Sequence, residues 1–214
     1  MARKLMHPLI SCICITNNRT ELLLRAIVCF DAQSYPNREL VISYPKSDGN
    51  TKALINQILS ISELRILPVE RDEHLSIGTA KNQAIAQSKG EYICLWDDDD
   101  WYQIKRLAHQ FNNMKTLFSF REACVLTQIL SYDSIKQEAY HIYNYNFAGT
   151  LLCKKEILSE HPFLDTSIGE DAAIIQYLKS NHYLHYINDS SFLYIFVYHG
   201  KNEMDYFQYS YFNK

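Results

Sequence analysis

Four consecutive acids, Asp97-Asp98-Asp99-Asp100, follow directly on the apolar run Tyr92-Ile93-Cys94-Leu95-Trp96 and precede Trp101. Two like charges ~6 Å apart cost roughly 2.8 kcal/mol at an effective dielectric of ~20. A chain that gathers such acids at the mouth of a buried strand therefore points to a cation that offsets them. Hard divalent ions, magnesium or manganese, take oxygen donors and commonly share them with phosphates. Asp97 and Asp99 project to one side of an extended chain and are the candidates for metal or nucleotide contact, whereas Asp100 is expected to cap a helix beginning near Trp101. Glu170-Asp171 is a second acidic pair. Ser167-Ile168-Gly169-Glu170 fits a capping box, so Glu170 is expected to cap the following helix while Asp171 points into the cleft.

The elements that must position these acids alternate between strand and helix patterns. Leu9–Ile15 reads as a strand, ending in the polar loop Thr16-Asn17-Asn18-Arg19. Thr20 is expected to cap a helix through about Phe30, whose apolar face is Leu22, Leu23, Ala26, Ile27 and Phe30. A strand over Glu39–Ser43, a helix from Thr51 to about Ser60, a strand over Leu64–Val69 and a helix over Gly78–Ser88 follow, with Gly90 as that helix's C-terminal stop. The run before the acids is the fourth strand. This alternation predicts an α/β protein with a doubly wound, mostly parallel sheet and right-handed crossovers. In such sheets ligands bind outside the carboxyl ends of the strands, where the acids fall. Beyond the acids the pattern is less regular. It predicts a helix near Gln103–Phe118, strands over Ala123–Ile129 and Phe147–Cys153, a Tyr-rich stretch at Tyr140–Tyr145, and a helix over about Glu170–Ser180. From Phe192 to Lys214 the chain is aromatic and at first strand-like.

The 214 residues fit one large domain, with a first half over about 8–100, a second over about 101–200 and a tail at 201–214. A net charge of −3 gives no basic field for nucleic acid. The six cysteines are scattered through apolar runs without a second closely spaced ligand pair, so they read as reduced core thiols and not as a zinc site. With no signal-peptide pattern and no run of ~18 apolar residues, a cytoplasmic protein is expected, at most peripheral at the inner face of the membrane.

Taken together these stretches resemble the family 2 glycosyltransferases, which have the GT-A fold, a Rossmann-like sheet with helices on both faces. The resemblance runs from about Pro8 to His199 in the family's order. Its landmarks are Thr16-Asn17-Asn18-Arg19, Gln33-Ser34-Tyr35-Pro36-Asn37-Arg38-Glu39, Gly78-Thr79-Ala80-Lys81-Asn82, Ser88-Lys89-Gly90-Glu91-Tyr92-Ile93 leading to Asp97–Asp100, and Glu170-Asp171. Two departures stand out. The family's Asp-Asp-Gly-Ser run, whose acid contacts the nucleotide base, is here Tyr44-Pro45-Lys46-Ser47-Asp48-Gly49-Asn50, so that acid is missing or displaced to Asp48. Lys81 replaces an arginine, keeping the charge and losing the bidentate geometry.

The resemblance implies an inverting, metal-dependent sugar transferase of surface-polysaccharide synthesis. Its donor would be a nucleotide sugar, a UDP-sugar first with the base left open, and its acceptor a glycan or a lipid-linked hydroxyl. Asp99 would be the direct ligand of the manganese or magnesium ion. Asp97 and Asp98 would contact ribose or metal-bound water, with Asp97 as a further ligand, and His199 would lie near the diphosphate or metal. Thr16, Asn18, Arg19 and Lys81 would serve the donor. Asp171 would be the general base, and Gly149, Glu170 and Trp101 would lie on the acceptor side. The residues alone leave other readings open: a solvated helix lysine at Lys81, a structural His199 and a strand irregularity at Gly149. At the level of the whole chain the rivals are a silent nucleotide- or glycan-binding module and a nucleotidyltransferase. The latter is disfavoured because the Thr16–Arg19 loop holds no glycine for a phosphate cradle.

Overall fold

A computed structural model of the chain describes residues 7–115, 121–143 and 146–202. The first half builds as its periodicity dictates. Strands β1 (Ile10–Ile15), β2 (Arg38–Pro45), β3 (Ile66–Arg71) and β4 (Tyr92–Leu95) are linked by helices α1 (Thr20–Asp31), α2 (Gly49–Ile61) and α3 (Ile77–Gln87). β1 lies parallel between β2 and β4, with Cys12 opposite Leu40 on one side and Cys94 on the other. Both faces of these strands are covered. Cys12, Cys14, Leu40, Ile42 and Cys94 pack with Phe30 of α1, while Ile13, Val41, Ile93 and Leu95 pack with Ala84 and Ile85 of α3. Near-continuous apolar runs are what strands buried on both faces require.

The second half extends this sheet and adds another. β4 leads into β5 (Trp101–Tyr102) and helix α4 (Arg106–Met114), then β6 (Ala123–Leu126), β7 (Ile129–Asp133) and β8 (Glu138–Ile142). A 3-10 turn at Ala148–Thr150 precedes β9 (Leu152–Lys154), followed by α5 (Lys155–Glu160), α6 (Ala172–Ser180), β10 (Leu184–Ile187) and β11 (Tyr194–Tyr198). The main sheet has seven strands in the order β10-β6-β9-β4-β1-β2-β3. β9 runs antiparallel to both β4 and β6, so the sheet is mixed and not wholly parallel. A second sheet orders its strands β5-β11-β7-β8.

Several expectations are corrected. No helix starts at Trp101, which lies in β5, and α4 begins at Arg106. Thr20 is the first residue of α1, not its cap; Arg19 holds that position and makes no side-chain cap bond. The run Phe147–Cys153 is a 3-10 turn followed by a strand. Gly90 does not stop α3, which ends at Gln87. A Cβ at Gly90 would stand 2.4 Å from Ser11 Oγ and 2.7 Å from Ser11 N, so the glycine is there for close approach to β1. The end of the expected helix beyond 115, Asn144 and Tyr145 of the Tyr-rich stretch, and the tail at 203–214 lie outside the described residues.

The Gln33–Glu39 stretch works as a fastening. Gln33 accepts from the Leu107 N–H at the start of α4 and donates to the Gln103 carbonyl, joining the two halves of the chain. Buried Glu39 accepts from Ser11 Oγ and from the Lys89 N–H, each at 2.6 Å, and the Gly90 N–H donates to Ser11 Oγ at 2.8 Å. Gly90→Ala is therefore expected to lower stability by about 2–3 kcal/mol in urea unfolding. Gly49→Ala, where nothing lies within 4 Å of the new Cβ, is expected to be neutral or stabilising by up to about 1 kcal/mol.

Candidate active site

The four acids are shared out among different partners. Asp98 is fully buried at the carboxyl end of β4; Thr16 Oγ1 donates to it at 2.6 Å and Arg19 pairs with it at 2.9 Å. Asp99 is partly exposed and takes Arg19 at 3.1 Å, His199 Nε2 at 3.2 Å and the Asn202 amide at 3.4 Å. Asp100 is buried and accepts from the Tyr194 hydroxyl and, at 2.9 Å, from the Val197 N–H. It thus fastens β11 to the end of β4 instead of capping a helix. The fastening delivers His199, the residue directly after β11. Asn202 holds the His199 turn by accepting the His199 N–H and donating to the Val197 carbonyl, and Gly200 supplies the left-handed φ of +78°. Asp97 packs its Oδ2 over Gly149, where a Cβ would stand 3.0 Å away.

Charge crowding shows in the carboxyls. Burial and then the neighbouring Asp99 push Asp98 up to about 7, against the pull of Arg19 and Thr16. Burial pushes Asp97 up to about 6, with Asp99 adding to the shift and Lys81 and Arg106 opposing it. Asp100 is raised well above the carboxylate range, first by burial and then by Asp99 and Asp97. A site that disfavours its own anions is one that a cation would relieve.

The second group of expected residues gathers around Lys81. Its ammonium pairs with Glu170 Oε1 at 2.6 Å, both side chains about nine-tenths buried, and lies 5.3 Å from the centre of the Phe163 ring. Lys81 is thus neither a solvated helix lysine nor free, and the capping box is not formed, because Glu170 faces Lys81. Asp171 takes the N-cap position of α6 without a side-chain cap bond. Burial and then Glu170 raise its carboxyl, while Lys81 pulls it down. Trp101 is 39% exposed on β5 and meets the cluster through its neighbour Asp100.

Asn18 reaches the site through its backbone, at φ 52°, and donates its N–H to Asp48 at 2.7 Å. Asp48 is wholly buried and also accepts from the Thr51 N–H and hydroxyl, capping α2. Burial pushes this carboxyl up, but the donations of Thr51 and Asn18 and the nearby Arg71 outweigh it and hold the group below its ordinary value. Asp48 is therefore committed to the fold. Four residues at the site carry no signal in the sequence: Arg25, which donates to the Asp99 carbonyl; Tyr194; Asn202; and Arg106. The Arg106 guanidinium is fully buried, 4.6 Å from the centre of the Tyr102 ring, and donates to the carbonyls of Leu95 and Gly149. All four act across long stretches of chain, and no local spacing announces them.

Among the described residues no three His, Cys, Asp or Glu side chains form a group able to hold an ion unaided. Asp99 and His199 nevertheless fit one. They bring an oxygen and a nitrogen donor together at 3.2 Å, and these are the residues that would hold a divalent ion in place of the contacts they now make with each other, Arg19 and Asn202. Mg2+-type ions use one or two protein carboxylates and take the remainder of their shell from phosphate and water.

The mixed α/β fold with its mostly parallel central sheet is the GT-A fold. The family model for glycosyl transferase family 2 matches residues 11–168, and the chain belongs to that family. It is 34% identical over 102 residues to the colanic acid biosynthesis glycosyl transferase WcaA of Escherichia coli, covering 48% of this chain and 36% of that one. It is 25% identical over 166 residues to the amylovoran biosynthesis glycosyltransferase AmsB of Erwinia amylovora, covering 68% of this chain and 55% of that one. The chain thus spans roughly a third to a half of these relatives' lengths. Among solved structures, TarS 1–349 of S. aureus in complex with UDP-GlcNAc superposes with a TM-score of 0.70 at 13% identity, covering 90% of this chain and 59% of that one. The mannosyltransferase PcManGT of Pyrobaculum calidifontis, in complex with GDP-Man and Mn2+, gives 0.70 at 16% identity, covering 93% and 59%. No helix among the described residues is long and apolar enough to cross a membrane.

The raised carboxyls carry a pH signature. A carboxyl whose folded pKa exceeds its unfolded value binds more protons in the folded state, so stability is fullest at low pH and falls as pH rises through the folded pKa. In EDTA, urea unfolding is expected to show stability decreasing between about pH 4 and 7, with a slope of up to about 1.4 kcal/mol per pH unit for each extra proton the folded state holds. Asp98→Asn should flatten that slope near pH 7.

Proposed function

We propose that the chain is an inverting, metal-dependent glycosyltransferase that moves a sugar from a nucleoside diphosphate donor to a hydroxyl acceptor in surface-glycan synthesis. The observation that carries the reading is the meeting of Asp99 and His199, 3.2 Å apart, beside Arg19 at the carboxyl end of β4. Asp99 and His199 would hold the manganese or magnesium ion, with Asp97 at its margin. When bound, the ion supplies positive charge to the diphosphate leaving group.

The chain's own residues account for the other roles. Arg19, released from Asp98 and Asp99, would face the diphosphate. Thr16, Asn18 and Asp98 would set the nucleoside. Asp171 would take the proton of the acceptor hydroxyl as its oxygen attacks the anomeric carbon and the bond to the diphosphate breaks, a single displacement with inversion. A raised carboxyl suits a base working near neutral pH. Gly149, without a side chain over Asp97, leaves room for the sugar on the acceptor side, where Trp101 is exposed. A UDP-sugar is the first donor to test and a GDP-sugar the second, because Asp48 is spent on α2 and Ser47 stands next to it. The acceptor class proposed is a glycan or lipid-linked hydroxyl, met by a cytoplasmic enzyme at the inner face of the membrane.

Thermal shift with UDP, GDP and their sugars, with and without Mn2+, tests the reading. A ligand at a hundred times its Kd adds about 2.7 kcal/mol, and that gain should require the metal. No shift with any of them rejects the proposal. Asp171→Asn is expected to keep nucleotide binding and lose roughly two to four orders of magnitude of transfer. His199→Ala should raise the Mn2+ concentration needed for half-maximal activity at least tenfold, read from a metal titration.

A further inference from the structure

The Gly78–Asn82 stretch has an unusual set of partners. The side chains of Thr79, Lys81 and Asn82 and the Gly78 N–H are all spent on a single loop, the one running from Phe163 to Glu170. Asn82 exchanges two hydrogen bonds with the Phe163 backbone, donating to its carbonyl at 2.9 Å and accepting its N–H at 3.0 Å. Thr79 donates to Asp165 at 2.7 Å, and the Gly78 N–H donates to the Thr166 carbonyl at 3.0 Å. Gly78 has to be glycine here, since a Cβ would stand 1.8 Å from the Leu164 carbonyl oxygen. Lys81 completes the set with its ion pair to Glu170. The loop closes on itself by the Leu164 N–H to Glu170 carbonyl bond, and the next residue is Asp171.

Asp171 makes no side-chain cap hydrogen bond at the head of α6. Its place is set by the segment before it, and that segment is held by α3. The Lys81–Glu170 pair is the buried member of the set, and the Thr79–Asp165 bond is an exposed one. We propose that Lys81 is a positioning residue that holds Asp171 through Glu170, and that the first turn of α3 is the mount of the loop carrying the base. This rests on the reading of Asp171 as the base. It assigns Lys81 a role in the geometry of the transfer step and not in affinity for the donor.

The test uses the full chain as wild type, Lys81→Met and Lys81→Arg, with Thr79→Val as a milder break in the same mount should Lys81→Met fail to fold. Hydrogen exchange read by mass spectrometry should rise at least tenfold in peptides covering 163–171 of Lys81→Met while β1 and β4 keep wild-type rates. Lys81→Arg should restore protection, and Thr79→Val should loosen the same segment to a smaller degree. Turnover of UDP-GlcNAc with water as acceptor should fall about a hundredfold in Lys81→Met, the scale of a misplaced catalytic group, while affinity for UDP with Mn2+ stays within twofold. Unchanged exchange in 163–171, exchange raised equally throughout the chain, or UDP affinity falling as far as turnover each overturns the proposal. Failure of the underlying reading shows separately, as turnover untouched in Asp171→Asn or no nucleotide binding to the wild type. The exchange pattern then still decides whether Lys81 mounts the loop.

Discussion

The structure turns on four adjacent carboxylates that cannot share one environment. The expected extended run is not what forms: β4 ends at Leu95 and the chain turns at Asp98 and Asp99, and this turn encloses Asp98 and Asp100 while Asp97 and Asp99 stay partly exposed. The enclosed pair must be satisfied from within, and each is satisfied by a different part of the fold. Asp98 draws on the loop after β1 through Thr16 and Arg19, and Asp100 draws on β11 through Tyr194 and Val197. A buried carboxylate left without such donors would cost several kcal/mol. The need to satisfy Asp100 therefore fastens the second sheet to the first. His199 arrives at Asp99 as a consequence, because it is the residue after the strand that Asp100 holds.

Much of the first half was legible in the sequence because its signals are local. β1 to β4 are runs of apolar residues bounded by polar loops, and α1 to α3 show helical spacing, so element type and order followed directly. The pairing of Asp97 with Asp99 was legible in the sequence, but the burial of Asp98 and the role of Asp100 as a fastening for β11 were not, because both are set by partners far along the chain. The family landmarks were visible as strings, but their physical purpose was not. Gly90 looks like a helix stop and is a point of close approach to Ser11. Asp48 looks like a displaced base-reading acid and is a helix cap. A capping box is written at Ser167–Glu170, yet the buried ammonium of Lys81 competes for the same carboxylate and wins it. A charge-assisted bond away from solvent outweighs a bond to one exposed backbone N–H.

The second half was less legible because its order depends on partners far along the chain. β9 is three residues long and reads as part of a longer run, since the turn before it is set from outside. Gln110 donates to the Thr150 carbonyl and Arg106 to the Gly149 carbonyl, bending that segment before it enters the sheet. β5 is two residues long and exists through its pairing with β11, 92 or more positions away in sequence (Tyr194 with Tyr102, Ile195 with Trp101). Neither has a periodicity to detect. The same holds for Arg106, whose charge is stabilised by the faces of Trp96, Tyr102 and Tyr194 and by two carbonyls, a setting that no spacing announces.

Lys81 shows how the two acidic groups come to depend on each other. Its ammonium neutralises Glu170 by direct contact and draws Asp97 and Asp171 down at longer range, so one cation serves carboxylates on both sides of the cleft. Arginine would supply the same charge through a broader, forked head; lysine supplies it as a point charge, 2.6 Å from Glu170 and 5.3 Å from the centre of the Phe163 ring. A change at Lys81 acts first on the residue it touches. It removes the counter-charge of Glu170, whose loop leads into Asp171, whereas Asp97 feels the ammonium only at longer range. The acidic run after β4 and the Glu170–Asp171 pair are thus linked electrostatically through Lys81, whose direct contact is with Glu170.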